Sequence, residues 1–128
     1  MKRVPVLVIL VASLMTTGCY NNDRHPPLTL SNAQIEQLRT EVQTIGDKCR
    51  ALRLSGRAKG FVASVNCSNP GILAAYQAVD FPYMGLLNLA LAKRLQLAER
   101  ADAKKISEGD MLVEYFSDVR GLPAMSSP

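Results

Sequence analysis

Three cysteines, one histidine and a run of carboxylates near the C-terminus are the side chains of this 128-residue chain best suited to chemistry. The histidine, His25, stands beside Pro26-Pro27 in a stretch without periodicity, so neither a Ser/His/Asp nor a Cys/His constellation can be assembled around it. There is no Cys-x-x-C, and a lone histidine does not complete a metal-ligand set, so no metal and no cofactor is expected. The glycine patterns that cradle phosphates or dinucleotides are missing as well. Glu99, Asp102, Glu108, Asp110 and Glu114 are the one group from which a hydrolytic carboxylate pair could be drawn. Their places at helix surfaces and at a helix start have a structural reason, because acids there complement the helix dipole. No catalytic residue is assigned.

The cysteines divide into one and two. Cys19 lies near the N-terminus, behind an apolar run, while Cys49 and Cys67 fall within the patterned part of the chain. In an oxidising compartment the latter two read as a disulfide. Such a bridge is worth roughly 3 kcal/mol in the chain-entropy model. Two buried free thiols are the other reading of the same pair.

Charge is most uneven at Lys48, Arg50, Arg53, Arg57 and Lys59, five bases in twelve residues with no acid among them. On a continuous helix Arg50, Arg53 and Arg57 would share a face. Contact with an anionic lipid or cell-wall polymer is the functional reading of that face. A solvated face near a helix C-terminus, or one paired with Glu108, Asp110, Glu114 and Asp118, is the structural reading.

The first nineteen residues carry an address. Lys2 and Arg3 are followed by an apolar run from Val4 to Met15, too short to span a bilayer comfortably. Thr17-Gly18-Cys19 then stands where a small-residue cleavage site belongs. This segment resembles the signal peptide of bacterial lipoproteins, whose lipobox ends in Cys. Thr16 departs from the aliphatic residue usual in that pattern. The resemblance covers residues 1–19 alone. It implies a signal peptide over 1–18, lipid on Cys19, and a periplasm-facing protein of the bacterial cell envelope held by that anchor. By the sorting rule of enteric lipoproteins, Tyr20 after the cysteine implies the outer membrane rather than the inner. Residues 19–30 are polar, contain Pro26-Pro27, and read as a lipidated spacer.

Removal of 18 residues leaves 110, enough for one domain with a modest core. The net charge of +4 owes two units to Lys2 and Arg3. The remainder carries 13 bases against 11 acids, and tryptophan is absent, so no nucleic-acid partner is expected.

The elements that must position these groups are helical. Ser31-Asn32-Ala33-Gln34 has the form of a capping box. Ile35, Leu38, Val42, Ile45, Cys49 and Leu52 follow at spacings of three and four, one stripe of a helix that Gly56 should end. The segment 57–67, with Phe61, Val62 and Val65, is compatible with a short helix or an extended strand. Asn69-Pro70 reads as N-cap and first turn of a second helix. Asp80-Phe81-Pro82 breaks it. A long helix from Tyr83 to about Lys104 carries Met84, Leu87, Leu91 and Ala98 on one side, with Leu86, Leu89, Ala90, Leu95 and Leu97 widening the apolar surface. Ser107 caps a last helix bearing Leu112, Tyr115, Phe116 and Val119. The whole is an all-α bundle of four to five helices over 31–120, with 121–128 as a disordered tail.

The helix pair around Lys104–Met111 loosely resembles short hairpins at the ends of bacterial envelope proteins, a resemblance that would imply a homo-oligomer; an ordinary αα-hairpin is the favoured reading of the same residues. The functional expectation is a non-catalytic module that binds an envelope protein or an anionic surface. The alternative is a periplasmic enzyme acting on a cell-wall or lipid substrate through its surface carboxylates.

Overall fold

The computed structural model describes residues 30–125. The expected signal peptide, Cys19 and the expected spacer up to residue 29 therefore lie outside the described residues. Four helices form the domain: α1 (Asn32–Leu54), α2 (Gly60–Ala78), α3 (Met84–Asp102) and α4 (Glu108–Asp118). No strand occurs among the described residues. None of these helices is long and apolar enough to cross a membrane.

The capping box starts α1. Gln34 donates its backbone N–H to Ser31 Oγ at 3.2 Å, and the Ser31 N–H donates to Gln34 Oε1 at 2.9 Å. Leu38, Val42 and Cys49 of the stripe are buried. Ile45, half-buried, packs against Gly71 of α2, where a side chain would come within 3.2 Å of its methyls. Gly56 turns the chain at φ 77°, a conformation that favours glycine.

The second helix begins at Gly60, nine residues before Asn69, and Pro70 lies inside it. The sequence offers no local start signal at Lys59, whose side chain makes no capping bond. The cap comes from far away. Asp102, the last residue of α3, accepts from the backbone N–H groups of Phe61 at 2.7 Å and Val62 at 2.9 Å. Gly60 precedes them at φ 83°, and a Cβ there would meet Asp102 Oδ2 at 2.6 Å. The Cys49–Cys67 disulfide, Cα–Cα 5.8 Å, fastens the middle of α2 to α1. A cap at one end and a covalent bond within the helix hold it together through a proline that removes one backbone donor. Asn69 is no N-cap; its amide donates to the Leu91 carbonyl at 3.2 Å.

Consecutive helices pack on one another, α1 on α2, α2 on α3, and α3 on α4. Tyr76, Leu87, Leu97 and Ala98 are wholly buried between them. The expected terminus of the long helix near Lys104 falls at Asp102, and the Ser107 cap is present, with Asp110 N–H on Ser107 Oγ at 3.1 Å. No residue within α4 is fully buried, and Leu112 of its expected stripe is 42% exposed. Leu86 and Leu89 of α3 are exposed too.

The C-terminal segment, described as far as residue 125, packs on the core. Leu122, Ala124 and Met125 are buried in the core cluster. The Tyr76 hydroxyl donates to the Pro123 carbonyl. Gly121 and Pro123 end the helix without ending the packing, because Val119, Leu122 and Met125 carry the apolar face onward through turns.

Candidate functional site

Because the helices pack in sequence order, the backbone of α4 does not lie against that of α1. A groove remains between them, floored by α2 and α3. It has two lobes, each of about 300 Å³. Both lobes are lined by Gly46, Asp47, Arg50, Arg94, Tyr115 and Phe116. Volumes of this order lie at the lower end of those that take small molecules.

The five bases of the sequence cluster do not act together. Arg50 stands on the groove wall. Arg53 also lines it, but is already engaged: it pairs with Glu108 at 3.2 Å and lies 4.2 Å over the Phe61 ring. That ion pair is a side-chain strut between the end of α1 and the start of α4. Lys48, Arg57 and Lys59 are exposed and lie outside the groove lining. Since α1 ends at Leu54, Arg57 falls in the following turn and does not continue the helix face.

The residue that the sequence reading passed over is Arg94. It is half-buried in the groove floor, and burial pulls its guanidinium below its ordinary pKa. Its Nη1 donates to Ser68 Oγ at 2.8 Å and to Asn69 Oδ1 at 3.0 Å. Both partners are neutral, and no carboxylate among the described residues forms an ion pair with it. Tyr115 stands beside it, ring centroid at 5.9 Å, with its hydroxyl pKa raised by burial. A signal for Arg94 existed. The stripe Met84, Leu87, Leu91, Ala98 has one vacant place at helical spacing, and Arg94 fills it.

Arg39 marks the far end of the second lobe. It pairs with Glu36 at 3.1 Å, yet its Nε is buried without an acceptor. An unpaired donor of this kind carries a desolvation cost.

The carboxylates are mostly spent on the fold. Asp102 caps α2. Glu108 holds Arg53, and Asp110 bonds Ser107 Oγ at 2.7 Å. Glu114 pairs with Lys93 at 3.1 Å and Arg100 at 3.0 Å. The hydrogen bond from Lys93, helped by the charge of Arg100, holds the Glu114 carboxyl below the usual carboxylate range. No group of three or more metal-ligating side chains occurs among the described residues.

No family model, curated protein or solved structure matches the chain.

Proposed function

We propose that the chain is a lipid-tethered, non-catalytic helical module of the cell envelope that binds an anionic lipid component. The observation that carries this reading is the pair Arg50 and Arg94, two cations lining one groove, neither in an ion pair, with Asp47 as the one carboxylate beside them. The lipobox resemblance at Thr17-Gly18-Cys19 supplies the tether. A domain held near a membrane by its N-terminus meets anionic headgroups at high local concentration. The exposed Lys48, Arg57 and Lys59 add a positive field around the site. The acids drawn into caps and ion pairs favour binding over hydrolysis.

The test has two parts. Cells fed an alkynyl palmitate should label the protein, and Cys19→Ala should lose the label. The full chain, held in phosphatidylcholine nanodiscs, should co-sediment with phosphatidylglycerol vesicles at low salt and release as salt rises. Replacing Arg50, Arg57 and Lys59 together by Ala should weaken that co-sedimentation. Persistent palmitate labelling of Cys19→Ala would remove the tether. Equal co-sedimentation by the triple variant would remove the anion reading.

A further inference from the structure

The groove has a charge, a shape and a lining that together define a narrower ligand class than an anionic surface. Its charged lining is Arg39, Asp47, Arg50, Arg53, Arg94 and Glu108. Arg53 is neutralised by Glu108, and Arg39 by Glu36. Arg50 and Arg94 against Asp47 leave one positive charge in the section common to both lobes. A monoanion balances it. Arg94 uses only Nη1 for its protein contacts, on Ser68 and Asn69. Its Nε and Nη2 have no acceptor in the protein, and neither is sealed from solvent. That is the side-on fork of a guanidinium, whose two parallel donors match the two oxygens of a carboxylate.

Apart from Asp47, Arg50, Arg53, Ser64, Arg94 and Glu108, the side chains lining the first lobe are apolar or aromatic, with Val65, Leu97, Met111 and Leu112 among them. The groove follows α1 from Arg39 to Arg53. At about 1.5 Å per residue this is roughly 20 Å for both lobes together; the first lobe alone, from Gly46 to Arg53, is roughly 10 Å, which takes the carboxyl half of a long chain and leaves the rest to extend past the lobe. Helices wall it, so their backbone donors and acceptors are already paired within them. An extended peptide laid there would lose water from its own backbone polar groups without finding partners. A hydrocarbon chain has no such groups and meets no such cost.

We propose that the groove between α1 and α4 binds a free fatty acid, its carboxylate received by Arg94 with Arg50 beside it and its chain lying along Val65, Leu97, Met111 and Leu112. This rests on the reading of the chain as a membrane-tethered anion-binding module, and it names the ligand of that module's groove. The Arg53–Glu108 ion pair lines the same lobe.

The probe is palmitic acid carrying a diazirine in its chain, photolysed with the full chain in phosphatidylcholine nanodiscs. Peptide mapping by mass spectrometry should place the adduct at Met111, Leu112 or Val65. Arg94→Met should lower that adduct at least fivefold, and Lys105→Ala should leave it unchanged. The hexadecanol analogue with the same diazirine should label only to the Arg94→Met level. A lysophosphatidic acid analogue, a phosphate on a similar chain, should label less than the carboxylate. If Arg94→Met melts below wild type, Arg50→Ala, on the exposed wall, carries the test instead and should lower the adduct about threefold. Equal labelling by acid and alcohol overturns the proposal, as does an adduct spread along the chain, an adduct untouched by Arg50→Ala, or phosphate preferred over carboxylate. Co-sedimentation with phosphatidylglycerol vesicles that survives such a result would leave the anion-binding module standing and remove only the fatty-acid site.

Discussion

The two ends of this small bundle are held by different means. The α1–α2 half has a covalent bond at Cys49–Cys67, a capping box at Ser31 and a second cap on α2. The α3–α4 half has the partly exposed ion pairs of Lys93 and Arg100 on Glu114, a single side-chain strut to α1 from Glu108 to Arg53, and a last helix with no buried residue of its own. Exposed ion pairs contribute little each. The groove thus has one rigid wall and one wall that opens at low cost. A site that must admit a long ligand from a membrane benefits from that inequality, since the elements that move are drawn from the least stable parts of a fold.

The largest expected effect breaks the rigid half. Cys49→Ser frees a loop with a sequence separation of 18 residues and should cost about 3 kcal/mol, a fall in Tm on the order of 15 °C for a domain of this size. Circular dichroism should still show a helical protein at low temperature, and limited proteolysis should cut faster at Arg57 and Lys59. Thiol labelling of the denatured, unreduced wild-type protein should find neither Cys49 nor Cys67 free. A variant that melts with wild type would mean that the bridge does not frame this half.

The second effect tests the joint between the halves. Gly60→Ala places a methyl 2.6 Å from Asp102 Oδ2 at a φ of 83°, and Asp102→Ala removes the acceptor of two backbone donors. Each should cost roughly 1–2 kcal/mol by chemical denaturation. Their double variant should cost less than the sum, because the clash needs the carboxylate. Full additivity would show that Gly60 is required for its backbone angle alone.

Much of the rigid half is written locally. The 3, 4, 3, 4 spacing from Ile35 to Leu52 specifies α1, and Cys49 on that stripe specifies which way its sulfur faces. The start of α2 is not legible, because its cap is a carboxylate 40 residues away. Pro70 draws attention to a plausible local start, and tertiary contacts override it. At the groove, the basic cluster 48–59 stands out by composition, yet only Arg50 and Arg53 line the site. Arg94 is hidden because a single charge in an apolar stripe looks like an interruption. Its spacing from Leu91 and Ala98 places it on the inward face, and a cation on an inward face needs an anion or a solvent-lined recess.

A smaller effect concerns the C-terminal segment, which joins the mobile wall to the core. Tyr76→Phe removes the donor to the Pro123 carbonyl and should cost about 1 kcal/mol. Protease should then reach Arg120 sooner, while the Cys49–Cys67 region keeps its resistance. Unchanged cleavage at Arg120 would mean that Leu122 and Met125 hold the segment by burial alone.

The smallest effect is the most specific to the second half, and it is a pH dependence. Lys93 and Arg100 hold the Glu114 carboxyl below the usual carboxylate range. A group whose folded pKa is depressed stabilises the fold above its unfolded pKa, and that contribution is lost as pH falls through the folded value. Glu114→Gln should therefore melt slightly below wild type at neutral pH, where the carboxylate is charged in both states. The gap should narrow once pH drops beneath the ordinary glutamate value of about 4.3 and close further down. Added salt should narrow it at neutral pH as well, because the side chains of this triad are partly exposed. A gap that persists unchanged into strong acid would place the origin of the effect in packing, and the α3–α4 half would then be less dependent on charge than its contacts indicate.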